Sequence, residues 1–413
     1  MCRIAMISVH TCPLAKLGSN SAGGMNVYVK GLSQELGRHG MNVDIFTRWS
    51  DPKVPQVVPL GDRTRIIHLK AGPVRAISKD SILPHLPEFV GNLRLFRRSE
   101  GLEYRLVHAH YWLSGWVAGI LRYQWNAPSV VMFHTLATLK NSIGESEKDS
   151  PHRVEAETRI LLASDMIVAS SEHEKLGMVQ LYGARPDKIR VIPCGIDLGR
   201  FKSSQRRKAR QLLGLDDRKT LLFVGRIEPL KAVDVLLKAI GRLPSELSSI
   251  RLIVLGGDPN VGVEMRKIKM LAAELGIADR VEFAGSVDHA LLPLYYSAAD
   301  LCVVPSRYES FSLVAAESLA CGTPVLAAKV GGLPSVVQHL RNGYIVAEHS
   351  PQAFADAISL LMGSRLLLPG LATEARPSVQ HLGWPVIARQ ILDSYDDLAQ
   401  AELPAQTCLC GRD

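Results

Sequence analysis

"KTLLFVGRIEPLKAVDVLLKAIGRLPSELSSIRLIVLGG", residues 219–257, reads as one strand–helix–strand unit. The apolar run "TLLFVG" (220–225) stops at a glycine, "VDVLLKAIGRL" (233–243) repeats its apolar residues at helical spacing, and "RLIVLGG" (251–257) is a second apolar run closed by glycine. Both runs are far shorter than the roughly 20 residues that span a bilayer, so they read as buried strands. Strands alternating with amphipathic helices build parallel sheets.

The alternation continues in both directions. Downstream come "MRKIKMLAAELG" (265–276), "VEFAG" (281–285), "LLPLYYSA" (291–298), "LCVVPS" (301–306), "FSLVAAESLACG" (311–322), "PVLAA" (324–328) and "YIVA" (344–347). Upstream lie "RIAMISV" (3–9), a helix from "GGMNVYVKGLSQELGRHG" (23–40), "NVDIFTR" (42–48), "RIIHLK" (65–70), "LVHAHY" (106–111), "SVVMFHT" (129–135) and "MIVASS" (166–171). The two series predict an α/β protein of two Rossmann-like domains, residues 1–195 and 196–383, facing each other across a deep cleft, with a terminal helix from Trp384 that returns to the first domain and a tail to residue 413. "IPCGIDLGRFKSSQRRKARQLLG" (192–214) has turn residues and a charge cluster but no strand-length apolar run, so the linker is placed near residues 193–205. A chain of 413 residues agrees with two domains, since single cores stop growing well before that length.

With 47% hydrophobic and 21% charged residues, the composition excludes a disordered or fibrous chain. Seven cysteines without C-x-x-C spacing suggest neither a disulfide framework nor a zinc site. "MCRIAMISVH" (1–10) reads as a first strand rather than a signal peptide, which leads to the expectation of a cytoplasmic protein. The net charge of +8 points to anionic partners without choosing among phosphate-rich small molecules, nucleic acid and lipid.

Three places carry chemistry. Gly23 and Gly24 stand just before a helical pattern, where a backbone can approach a ligand and free N–H groups attract phosphate; a plain turn and helix cap would look the same. Arg226 ends the "LLFVGR" strand and Lys231 follows five residues later, two cations suited to a departing diphosphate. In "PSRYESFSLVAAESLACGTPVLAAKVGGLP" (305–334), Glu309 precedes a helix expected to begin near Phe311, and Glu317 lies two turns on, putting the carboxylates within roughly 80° of one face. The amides of Ser310, Phe311, Ser312 and Leu313 suit a second phosphate site, and Glu317, inside the apolar "LVAAESLA", needs a partner.

The E-x7-E pair, the "GGMN" loop (23–26), the Arg and Lys after "FVGR", "IPCGID" (192–197) and "GTPVLAAKVGGLP" (322–334) together resemble family 4 of the retaining glycosyltransferases, whose fold is GT-B. The likeness covers nearly the whole chain. "AMISVHTCPL" (5–14), "GGMNVYV" (23–29), "AGPVRAISK" (71–79), "HAHYWLSG" (108–115) and "FHTLATLKNS" (133–142) resemble members that move N-acetylglucosamine from UDP to inositol 3-phosphate.

That resemblance implies a nucleotide-sugar donor and a small phosphorylated acceptor, with no nucleic acid. Arg226 and Lys231 would grip the diphosphate, Glu309 the sugar hydroxyls, Glu317 the ribose, and backbone near Val287 the base. His134 would contact the donor sugar, and with Arg226, Lys231 and Glu309 would make up the catalytic set. Lys79, Tyr111, Thr135 and Arg153 would bind the acceptor phosphate; His10 and the loop from Ser21 to Asn26 would line the acceptor and donor pockets. No protein-held metal is implied, although magnesium could accompany the nucleotide, and homodimerisation is left open. Two positions depart from the family pattern: Ala232 and Ser312 stand where glycine is usual. Rival readings are an enzyme like sucrose-phosphate synthase, a glycan or lipid transferase that rests "NLRLFRRSEGLEYR" (92–105) on an anionic membrane, and a nucleotide-sugar sensor without catalysis.

Overall fold

A computed structural model describes residues 3–15, 23–144, 148–258 and 262–401; Ser21, Ala22, Cys2, Cys408 and Cys410 lie outside the described residues. The first half forms an eight-stranded sheet from β1 (Arg3–Ile7), β2 (Asn42–Arg48), β3 (Val57–Gly61), β4 (Thr64–Leu69), β5 (Leu106–His110), β6 (Ser129–Met132), β7 (Met166–Ala169) and β8 (Ile189–Val191), ordered β3-β4-β2-β1-β5-β6-β7-β8. The second half forms a six-stranded sheet from β9 (Thr220–Val224), β10 (Arg251–Leu255), β11 (Val281–Gly285), β12 (Leu301–Val304), β13 (Val325–Ala328) and β14 (Gly343–Val346), ordered β11-β10-β9-β12-β13-β14.

The second sheet is parallel throughout, but the first is mixed, because β3 runs antiparallel to β4. This corrects the reading of two parallel sheets. β3 contains Pro59, which donates nothing to a ladder, and it lies at the sheet edge, where a proline is tolerated.

Strand order fixes where ligands bind. In the first sheet the winding reverses at β1, which lies between β2 and β5; in the second it reverses at β9, between β10 and β12. Open α/β sheets bind ligands outside the carboxyl ends of the strands at such reversals. The residues beyond those ends are His10 and Gly23 to Asn26 after β1, Tyr111 after β5, His134 after β6, Arg226 after β9 and Glu309 after β12.

The chain crosses between the halves at two adjoining points. Ile196 N–H donates to the Leu382 carbonyl at 2.8 Å, and Trp384 N–H donates back to the Ile196 carbonyl at 3.2 Å. The charge cluster of the linker is a helix, Arg206–Leu212, pinned to the second sheet: Arg206 and Arg210 reach the Asp300 carboxylate at 2.9 and 2.8 Å, and that carboxylate also accepts the Thr220 N–H at 2.7 Å. Beyond the second crossing, the helix Trp384–Ala401 packs on the helix Gly24–Arg38 of the first half. Its indole is buried so tightly that a Cβ on either Gly31 or Gly195 would stand 2.3 Å from the ring. Tyr28 meets the indole edge-on, and the Tyr395 hydroxyl bonds His108 Nδ1 at 2.7 Å.

Cys12, Cys194, Cys302 and Cys321 are free thiols, the last three buried. In the basic stretch at 92–105, Arg97 pairs with Glu103 and lies over the Trp125 ring, while Arg65 meets Glu100 at 3.3 Å. Among the described residues no single helix is long and apolar enough to cross a membrane.

The indole of Trp384 seals the crossing, so Trp384→Ala should leave a cavity that neither glycine can fill. We expect a loss of about 3–5 kcal/mol of stability in urea unfolding followed by far-UV circular dichroism.

Candidate active site

A cleft of about 370 Å³ lies between the carboxyl ends of the two sheets. From the first half it is lined by His10, Gly23, Gly24, Asn26, Lys79, Tyr111, His134 and Thr135. From the second it is lined by Arg226, Lys231, Val287, Glu309, Ser310, Phe311, Ser312, Leu313 and Glu317. Among the described candidates from sequence, Arg153 alone does not line it.

In the second half, Glu309 sits on the loop after β12, and its helix runs Leu313–Ala320 rather than starting near Phe311. The pair Glu309 and Glu317 is therefore not a single helical face; one acid is on a loop and the other is mid-helix. The Glu309 Oε1 accepts from Lys231 Nζ at 2.7 Å and from the Ser306 hydroxyl at 2.9 Å. Its loop is clamped from behind by the "GG" of 331–332, where a Cβ on Gly331 would fall 1.9 Å from the Glu309 carbonyl oxygen and one on Gly332 2.0 Å from that of Ser310. Glu317 is buried and has the partners its setting requires: His289 Nε2 at 3.0 Å and the Tyr296 hydroxyl at 3.1 Å. Arg226 meets Glu228 at 3.0 Å.

The halves touch through Ser310. Its hydroxyl donates to the His134 carbonyl at 2.7 Å, while its own carbonyl accepts from the hydroxyls of Ser170 at 3.1 Å and Ser171 at 3.0 Å. Gly24 belongs to the same contact, since a Cβ there would stand 3.4 Å from the Leu313 side chain.

In the first half, Asn26 braces its own loop. The amide nitrogen donates to the Thr11 hydroxyl and the Cys12 carbonyl at 2.8 and 2.7 Å, and its oxygen accepts the Gly23 N–H at 3.0 Å. Tyr111 is the centre of a cationic corner: Lys79 Nζ lies 5.6 Å and the Arg153 guanidinium 4.9 Å from its ring centroid. Arg153 is one layer behind the cleft wall, engaged by Glu157 at 2.8 Å, Asp149 at 2.9 Å and the Thr135 carbonyl and hydroxyl at 3.0 and 3.2 Å. Burial opposes its charge, but Glu157, Tyr111 and Asp149 outweigh burial and raise its pKa. Lys79 is different. Its pKa is lowered by desolvation and then by repulsion from Arg226 and Arg153, a repulsion that an anion in the cleft would reverse. Among the described residues no carboxylate lies within ion-pair distance of Lys79.

Histidines continue the wall inward. His134 Nε2 meets His110 Nδ1 at 3.1 Å, and the His110 and His108 rings are 4.4 Å apart. Burial holds the pKa of both His108 and His134 down to about 3, and lowers those of His10 and His110. Among the described residues no group of three or more His, Cys, Asp or Glu side chains could hold a metal ion.

The two departures from glycine have a common backbone explanation. Ala232 has φ 52° and Ser312 φ 96°, conformations that glycine adopts without a Cβ penalty. Residues missed from sequence include His289, Glu228, Tyr308 and Ser170, all on the cleft wall. Each lies in a turn or at a strand end without periodicity; only the proximity of His289 to Val287 in sequence could have flagged it.

A cleft between two nucleotide-fold sheets, cationic on both walls, is the arrangement of a GT-B glycosyltransferase, and comparison with known proteins agrees. Residues 22–200 match Glycosyltransferase Family 4 and residues 205–376 match Glycosyl transferases group 1. The D-inositol 3-phosphate glycosyltransferase of Xylanimonas cellulosilytica is 42% identical over 404 residues, covering 95% of this chain and 96% of that one. The D-inositol 3-phosphate glycosyltransferase 2 of Catenulispora acidiphila is 40% identical, covering 95% and 94%. Among solved structures, sucrose-phosphate synthase from Thermosynechococcus elongatus superposes with a TM-score of 0.90 at 37% identity, covering 97% of this chain and 100% of that one. Anabaena HepE in complex with UDP and glucose shares the fold, with a TM-score of 0.76 at 20% identity over 96% and 100%. The chain belongs to family 4 of the glycosyltransferases and is a hexosyltransferase.

Two outcomes follow from strain and burial. Ser312→Gly should relieve the backbone while losing only a few tenths of a kcal/mol from the cap to the Ala315 N–H, so stability should rise by about 1 kcal/mol in urea titration. His108 and His134 have folded pKa values below the unfolded value of about 6.5, so the unfolded chain binds more protons as pH falls, and their contribution is present above that value and lost toward about 3. Between pH 7 and 5.5 each should cost about 1 kcal/mol, read as a shift of the urea midpoint.

Proposed function

We propose that the protein transfers N-acetylglucosamine from UDP-N-acetylglucosamine to inositol 3-phosphate, with retention at the sugar carbon. The observation that carries this reading is the unpaired Lys79 facing Arg226 across the cleft, with Arg153 behind it. Cations from both sheets that repel one another call for anions from two ligands, a diphosphate on one side and a phosphate on the other. The inositol phosphate itself is suggested by the printed activity of the relatives that match along nearly the entire chain.

On this reading Arg226 and Lys231 hold the donor diphosphate, Val287 backbone the base, and Glu317 the ribose. Gly23 and Gly24 let their loop approach the donor phosphates, with the amides at Ser310 to Leu313 opposite. Lys231 now rests on Glu309; a diphosphate draws the ammonium to itself and frees Glu309 for sugar hydroxyls. Lys79, Tyr111 and Thr135 contact the acceptor phosphate, and Arg153 adds charge through Tyr111 and Thr135. The acceptor hydroxyl attacks from the face that the diphosphate leaves: its oxygen bonds the sugar carbon as the carbon–phosphate-oxygen bond breaks, and its proton passes to the leaving oxygen. The two cations stabilise the charge on that oxygen, the effect that preorganised groups supply most strongly. His134, neutral in its buried setting, offers its ring to the sugar without adding charge.

One observation favours a second acceptor: a sucrose-phosphate synthase is 37% identical over 97% of the chain, so a ketohexose phosphate belongs in the same experiment.

Release of UDP from UDP-N-acetylglucosamine should be stimulated by inositol 3-phosphate and not by free inositol or a ketohexose phosphate, measured by mass spectrometry of product. Arg226→Ala should lower kcat about a hundredfold, and Lys79→Ala should raise the acceptor KM at least tenfold with little change for the donor. Equal rates with inositol and its phosphate would remove the phosphate site from the reading, and transfer to the ketohexose phosphate alone would select the second acceptor.

A further inference from the structure

Glu317 is braced by two side chains, and both are held by the interdomain linker. His289 lines the cleft with its Nε2 3.0 Å from Glu317 Oε1, and its Nδ1 lies 3.2 Å from Nη1 of Arg200. A guanidinium only donates hydrogen bonds, so Nδ1 must accept, which places the ring hydrogen on Nε2, pointing at the carboxylate. The contact with Arg200 thereby selects the tautomer that serves Glu317; the other tautomer would set two lone pairs against each other at Glu317 and two donors against each other at Arg200.

The next linker residue completes the brace. Phe201 is buried and meets the rings of both His289, at 5.2 Å between centroids, and Tyr296, at 6.1 Å. These are the two donors to Glu317. The linker backbone is fixed in turn: Asp197 Oδ1 accepts the N–H groups of Gly199 and Arg200 at 3.1 and 2.9 Å, and Arg376, next to the second crossing, donates to the carbonyls of Leu198 at 3.1 Å and Phe201 at 2.7 Å. An ionised carboxylate accepts about four hydrogen bonds, so the two it receives here orient it and leave lone pairs for a diol.

We propose that His289, its tautomer set by Arg200 of the interdomain linker, is the positioning residue that aims Glu317 at the ribose diol of the donor nucleotide. It follows that the nucleotide's affinity depends on Arg200, a linker residue that does not line the cleft. This rests on the reading above that Glu317 takes the ribose.

The test is calorimetric titration of the full chain with UDP and with 2′,3′-dideoxy-UDP, which lacks the diol. Wild type should bind UDP more tightly than the dideoxy nucleotide. His289→Ala should weaken UDP about tenfold and leave the dideoxy nucleotide within twofold, erasing most of the discrimination. His289→Gln, whose amide nitrogen can donate from nearly the same place, should restore UDP binding to within about threefold of wild type. Arg200→Met should shift UDP in the direction of His289→Ala by a smaller factor, since only the tautomer is released. Equal weakening of both nucleotides by His289→Ala would show a direct or general structural role and overturn the proposal, as would unchanged UDP binding. If wild type binds both nucleotides equally, Glu317 is not the ribose ligand; the site reading fails and this proposal falls with it, an outcome separable from the others because it appears before any substitution is made.

Discussion

Like charge facing like charge across the cleft is the constraint around which the rest of the structure is arranged. Lys79 comes from the segment after β4, Arg153 from the helix Pro151–Ala163 and Arg226 from the loop after β9, and the two arginines make it harder for Lys79 to hold its proton. Acids are supplied to some of these cations and withheld from others. Arg153 has Asp149 and Glu157, Lys231 has Glu309, and Arg226 has Glu228. Those pairings neutralise the walls enough for the halves to meet at Ser310, while Lys79 keeps an electrostatic demand that an incoming anion meets.

Backbone strain gathers at the same place. Of the six non-glycine residues with positive φ among the described residues, Tyr111, His134 and Ser312 line the cleft and Ala232 adjoins Lys231. Such conformations persist where surrounding packing over-determines them. For His134 the packing is visible: its ring is held by His110 and its carbonyl by Ser310, so the strained residue takes part in the contact between halves. At Ala232 and Ser312 a side chain occupies a backbone conformation suited to glycine, and both flank residues of the second half that line the cleft. Ser312 recovers part of the cost by capping its helix at the Ala315 N–H.

Local pattern made most of the fold legible. The runs at 220–224 and 301–304 became strands with nearly the bounds their apolar residues suggest, because a buried strand needs both faces apolar and leaves a continuous signal. β3 was hidden, since its exposure alternates along an edge and Pro59 argues against a central strand; β8 has only three residues. In the site, residues next to strand ends were readable by their position after β1, β5, β6, β9 and β12. The layer to which Arg153 belongs was not, because a sequence shows its charge but not that Glu157, four residues on, lies beside it in the buried layer. His289 was equally silent: its role needs Arg200, 89 residues away, to fix the tautomer.

The state of the carboxylates bears on the proposed chemistry. Glu309 has its Oε1 bound by Lys231 and Ser306, and Glu317 has one oxygen bound by His289 and the other by Tyr296. A nucleophilic carboxylate needs a bare oxygen aimed at the sugar carbon; Glu317 has both oxygens engaged, and Glu309, whose Oε2 is free among the described residues, carries a charge that the Lys231 ammonium holds at Oε1. What the networks leave accessible are lone pairs suited to hydroxyl groups and cations suited to phosphate. Acids that orient and cations that absorb charge fit a substitution in which the leaving phosphate takes the proton, and the cleft's electrostatics then favour charge separation at the donor without a covalent partner on the protein.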